Sequence, residues 1–102
     1  MLMGKTTFNY DAGDIVNFKC ISGDEILAKI IEERDEVYIL SKPVSLLKSP
    51  KGGLGMMGIP IGADPEEPIV LNKFAIAFHV KCHGDLAKHY LANLPRLEVD
   101  NN

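Results

Sequence analysis

The chain has 102 residues, 46% apolar and 25% charged, the make-up of one small globular domain rather than a disordered segment. Eleven Lys and Arg against 14 Asp and Glu give a formal charge of -3, which argues against a general phosphate-backbone binder while leaving room for a local basic patch. Two cysteines, Cys20 and Cys82, are too few for a disulfide framework. No stretch approaches the ~20 apolar residues of a membrane span, and Met1 to Tyr10 has no signal-peptide run. The expectation is a cytoplasmic protein with both thiols reduced and no contact with a membrane.

In chain order, Val16, Phe18 and Cys20 alternate with Asn17 and Lys19, the period of a half-buried strand. Ser22-Gly23-Asp24 is a turn cluster. Ile26 to Glu32 follows as a second strand with apolar residues at both parities, as a strand covered on both faces or strongly bent would have. Glu33 to Glu36 is a tight charged turn. Val37, Ile39, Val44 and Leu46 continue as a third strand, interrupted by Pro43, which cannot donate to a ladder and so marks a bulge, a bend or an edge. Pro50 to Gly55 reads as loop, Met56 to Ile61 as a weak fourth strand, and Ala63 to Pro68 as an acidic loop.

The last strand has the clearest pattern. Phe74, Ile76, Phe78 and Val80 form one face, expected to be core, against Ala75, Ala77, His79 and Lys81. Leu86, Tyr90, Leu91 and Leu94 then fit a helical stripe over about 85–94, with Asp85 at its start, Pro95 at its end and a loose tail over 97–102. Five short strands and one helix predict a single mainly-β domain, a small bent sheet or barrel over about 13–82 with a short C-terminal helix.

Three stretches resemble a known family. Val16 to Gly23 followed by Glu25 to Glu32 is similar to the first two strands of Sm-like (LSm-type) proteins. Gly23 to Lys29, Tyr38 to Pro43 and the Gly-rich stretch Gly53 to Pro60 look like the small marine-phage (cyanophage-type) Sm-like proteins of unknown function. The resemblance spans about 13–94. It implies a strongly bent, five-stranded open barrel, assembly into a homo-oligomeric ring through strand edges, and a place in the host cytoplasm if the chain is of phage origin. Carried over residue by residue, Asp35 matches the Asp that ends the family's second strand, and Asn72-Lys73 stands where the family has Arg-Gly. In that register the fourth strand is Ile69 to Leu71 instead of Met56 to Ile61. The pocket Asn of the family has no counterpart, because Tyr38-Ile39 occupies its region.

Among candidate sites, Gly53-Leu54-Gly55-Met56-Met57-Gly58 has the form G-x-G-x-x-G, but Ile59-Pro60 follows it where a helix must start, so a dinucleotide site is rejected. His79 and His83 lie about 13 Å apart on an extended strand, with Cys82 on the opposite face, too far to share a zinc ion. In the barrel that the resemblance implies, Cys20 and Cys82 are neighbours. No nucleophile-and-base constellation stands out, so the reading includes no enzyme, metal or cofactor. The nucleic-acid candidates are Arg34, Asp35, Tyr38, Lys42, Asn72 and Lys73, with Lys48 and Lys51 near by and Tyr38 as the stacking residue. The expected function is a ring binding RNA or single-stranded DNA. The alternative is a structural or adaptor oligomer that docks a protein partner through the Met56-Met57 loop.

Overall fold

Asn17 and Lys19 point to one face of strand β1 (Ile15–Cys20), and Val16, Phe18 and Cys20 to the other, as their alternation predicts. The structure, a computed structural model, describes residues 8–59, 62, 64 and 66–99, with side chains to Leu94. β1 turns at Gly23, whose φ of +99° is open to glycine and strained for other residues, into β2 (Glu25–Glu33). β3 (Val37–Lys48) pairs with β2, β4 (Leu54–Gly58) pairs with the second half of β3, and β5 (Ile69–Asn72) with its first half. A 3-10 turn (Lys73–Ala75) leads from β5 to β6 (Ile76–Lys81), which returns to pair with β1. Helix α1 (Gly84–Val99) follows. All pairings are antiparallel.

This is a six-stranded antiparallel sheet with one C-terminal helix, and it corrects the expected five-stranded, strongly bent Sm-like open barrel. The two alternatives for a fourth strand are both strands, β4 and β5, end to end along the long β3. Pro60 and Ile61, the end of the first alternative, lie outside the described residues. The hydrogen-bonded path runs β4-β3-β2-β1-β6 and stops. Among the described residues no ladder joins β6 to β4 or β5, so the sheet is not closed, and it is not strongly curled. Among the described residues β6 therefore has one strand partner, β1, and one open edge.

Three bulges decide which side chains are inside. Between Leu27↔Val44 and Lys29↔Ser41, β3 fits Lys42 and Pro43 opposite Ala28 alone. Lys42 takes a φ of +48° there, and Pro43 stands where a missing N–H breaks no ladder bond. Between Ile30↔Leu40 and Glu32↔Ile39, Ile31 is the extra residue on β2. Between Lys19↔Phe78 and Cys20↔Ile76, Ala77 is the extra residue on β6. Each extra residue reverses the parity beyond it, because side chains alternate strictly along a strand.

One face carries the larger core, Val16, Phe18, Cys20, Ile26, Ala28, Ile30, Tyr38 and Leu40, with Tyr10, Ile59, Ile69, Leu71 and Ile76 packed against it. The other face holds Ile15, Leu27 and Val44 under helix α1, which contributes Tyr90 and, less buried, Leu86 and Leu94. Each fully buried large side chain stabilises the fold by about 1.5–3 kcal/mol. Tyr90 also fixes the helix to the β3 bulge, its hydroxyl donating to the Ser41 and Lys42 carbonyls at 3.2 and 2.7 Å. The helix continues through Pro95 to Val99 instead of ending near Leu94. Pro95 leaves only the Leu91 carbonyl without its helical donor. Of the tail expected over 97–102, residues 97–99 are helical and 100–102 lie outside the described residues.

The expected core face of the last strand is exposed, as is the rest of β6 after Ile76. Phe74, Phe78 and Val80 are 77%, 62% and 60% exposed. Phe78 and Val80 stand opposite Lys19 and Asn17, whereas His79 stands opposite the fully buried Phe18. Ile76 alone of that set reaches the core, because the Ala77 bulge intervenes.

Candidate functional site

Glu33 is the one charged residue buried among those described. The Ile31 bulge sets it directly opposite Tyr38 on the core face, where continued alternation from Ile26, Ala28 and Ile30 would have placed Glu32. Its Oε1 accepts the backbone N–H groups of Asn9 and Tyr10 at 2.8 and 2.9 Å, and its Oε2 accepts Lys73 Nζ at 2.7 Å. Burial by itself raises the Glu33 carboxyl, but the bonds from Lys73, Tyr10 and Asn9 outweigh it and hold the pKa below its usual value. The carboxylate thus joins the end of β2, the segment before β1 and the turn before β6.

Around this carboxylate stands an aromatic group. Lys73 Nζ lies 4.9 Å from the Tyr38 ring centre and 5.4 Å from that of Phe8, within cation–π range. Tyr38 packs against Phe18 and Tyr10 at centroid distances of 5.1 and 5.9 Å. Asn9 Nδ2 donates to the Tyr38 hydroxyl at 3.2 Å, and the Tyr10 hydroxyl meets His79 Nδ1 at 2.6 Å. Burial, with the neighbouring Tyr38, Glu33 and Asp14, raises the Tyr10 pKa, so the phenol keeps its proton. A protonated phenol against a ring nitrogen is a fastening between two elements, not an activated nucleophile.

A cavity of about 400 Å³ opens beside this group, lined by Asn9, Tyr38, Lys73, Ile76, Ala77, Phe78 and His79. Its wall mixes hydrogen-bonding groups with apolar surface, and four of its residues, Ile76 to His79, come from the stretch of β6 that spans the Ala77 bulge.

Of the six residues expected to bind nucleic acid, the fold brings Tyr38 and Lys73 together and disperses the others. Arg34 pairs with Glu32 on the exposed β2–β3 turn, and Asp35 lies in the same turn. Asn72 ends β5 opposite Val37, and the next residue, Lys73, donates its N–H to the Glu36 carbonyl, which brings that turn close. Lys42 sits on the bulge beneath Tyr90 and pairs with Glu66. Tyr38 is 1% exposed and has no free face on which a base could stack. Met56 and Met57, read as the start of a weak fourth strand and, in the adaptor alternative, as a docking loop, belong to β4, and Met56 packs under the helix. Cys20 and Cys82 are free thiols at opposite ends of β1, Cys20 facing Ile76 and Cys82 bonded to Ile15, so they are not neighbours. Burial raises both their pKa values.

Sequence reasoning missed Asn9, Tyr10, Glu33 and His79. Glu33 had one available signal, an acidic residue closing a strand whose apolar residues change parity at Ile31. Among the described residues no group of three or more His, Cys, Asp or Glu could hold a metal ion. Among the same residues no helix is long and apolar enough to cross a membrane.

No family model matches the chain, and no curated protein matches it either. With the sheet open, the Sm-like identity is not upheld, and the ring and RNA-binding function that it implied are withdrawn with it.

Proposed function

We propose that the protein works by binding rather than by catalysis, and that it takes an extended segment of a protein partner as an added strand on the open edge of β6. The observation that carries this reading is a strand edge with no partner among the described residues, bordered by Phe78 and Val80, both more than half exposed. An unpaired edge is a template for another strand, and natural proteins usually blunt such edges with charge, proline or a covering loop. Here the outward face is apolar.

The ladder indicates which groups are available. Cys82 N–H bonds the Ile15 carbonyl, so the closely bonded pairs on β1 alternate through Val80 and Phe78. The backbone groups of His79 and Lys81 then face the open side. An added strand bonds these two residues and lays alternate side chains over Phe78 and Val80. Lys19, opposite Phe78 on β1, has no ion-pair partner among the described residues, so a segment with a carboxylate beside its apolar residues complements this face.

The test uses ten-residue peptides of alternating valine and threonine with glutamate at either end, followed by calorimetry and amide exchange. Binding with slowed exchange at His79 and Lys81 is expected. Lys81→Pro, which removes an outward N–H and no backbone bond to β1, and Phe78→Asp should each weaken it at least about tenfold, whereas Lys81→Ala, which removes only the side-chain pair with Asp14, should not. Peptides that fail to bind, or that bind Lys81→Pro as well as the parent, overturn the reading.

A further inference from the structure

The cavity beside the open edge contains hydrogen-bonding groups that the fold leaves half used. The Tyr38 hydroxyl accepts from Asn9, and its own hydrogen has no acceptor among the described residues. Asn9 Oδ1 likewise has no donor there, its Nδ2 being the atom bonded to Tyr38. Lys73 Nζ places one of its three hydrogens on Glu33. Each of these residues lines the cavity, and the Tyr38 ring, 1% exposed, is held by a rigid core.

The electrostatics narrow the ligand. Lys73 and Glu33 sit 2.7 Å apart and their charges cancel, so the cavity offers hydrogen bonds without a net positive field. A phosphate or a free carboxylate would lose its hydration with no countercharge to replace it. A neutral group that both accepts and donates fits instead. Its oxygen takes the Tyr38 and Lys73 hydrogens, and its N–H meets Asn9 Oδ1. Ile76, Ala77 and Phe78 supply apolar wall for the methylenes behind it.

We propose that this cavity is a specificity pocket for a carboxamide side chain, glutamine or asparagine, carried by the segment that docks on β6. The proposal rests on the strand-addition reading for the identity of the ligand, but the pocket can be tested without the edge. In strand-addition complexes the main chain supplies affinity and side-chain pockets supply selectivity. A site built to bond a polar group rejects the analogue that lacks it, because its own groups are then left unpaired.

The probe is N-acetylglutaminamide, too short to form a strand, titrated into the full chain and followed by amide chemical shifts. Saturable shifts at Tyr38, Lys73 and His79 are expected in the low-millimolar range, with N-acetylglutamate and N-acetylleucinamide weaker by about tenfold. Tyr38→Phe, which keeps the buried ring, and Asn9→Ala, on the surface segment, should each reduce affinity about five- to tenfold. Lys81→Pro should leave it unchanged. Equal binding of the three probes, or no shifts at those residues, overturns the pocket, even if valine–threonine peptides still bind the edge. Binding of the carboxamide together with failure of every peptide overturns strand addition and leaves the pocket standing.

Discussion

Glu33 and Lys73, 40 residues apart in the chain, meet at 2.7 Å with the Glu33 side chain 1% exposed and the Lys73 side chain 27% exposed. Two backbone N–H groups complete the carboxylate's shell. A buried carboxylate is stable only with such company, since removing it from water without partners costs several kcal/mol. The pair therefore organises its surroundings, holding the segment at Asn9-Tyr10 and the turn at Lys73 against the end of β2.

Replacing Glu33 with Gln removes the charge and leaves Lys73 half-buried without its partner. Because Lys73 keeps some access to water, the loss is expected at about 2 kcal/mol, below the cost of a fully buried broken pair. Urea unfolding measures it, and a change under about 0.5 kcal/mol would remove Glu33 from this organising role.

The same carboxylate makes a pH prediction. Its folded pKa lies below the ordinary 4.5, so its stabilising contribution is complete above that value and is lost as the pH falls through the folded pKa. Protection of the Asn9 and Tyr10 amides, taken relative to the unstructured chain at the same pH, should fall on acidification below about pH 4.5, ahead of global unfolding. In Glu33→Gln that acid-dependent step should be absent.

Tyr90→Phe keeps the buried ring and deletes the hydroxyl that holds the Ser41 and Lys42 carbonyls. A loss of about 1–2 kcal/mol is expected, read from the urea midpoint at unchanged slope. Burial also raises the Tyr90 pKa, so the phenol should remain un-ionised in an ultraviolet titration at pH values that ionise a free tyrosine.

Gly23→Ala should destabilise the β1–β2 hairpin although an added Cβ meets no atom within 4 Å. The cause is the φ of +99°, which L side chains rarely adopt, and a loss of about 1–2 kcal/mol is expected. Phe78→Asp is the contrasting case. Its side chain is 62% exposed and belongs to neither core, so stability should change by no more than about 0.5 kcal/mol while peptide binding falls.

What the amino-acid sequence determined by itself was local. Alternation in Val16 to Cys20 placed β1 and its buried face, Ser22-Gly23-Asp24 placed the first turn, and the change of period after Gly84 placed the helix. These signals arise from neighbours along the chain, where backbone geometry sets the repeat. The tertiary structure decided the rest, because a bulge is a relation between two strands and leaves little trace in either one. Ile31 opposite no residue of its own turned Glu33 inward, and Ala77 set His79, still exposed, on the face of Phe18 and left Phe78 and Val80 on the other. The candidate site was therefore legible only at Tyr38 and Lys73. The parity of Glu33 and His79, and the open border of β6, depend on pairings made across the sheet.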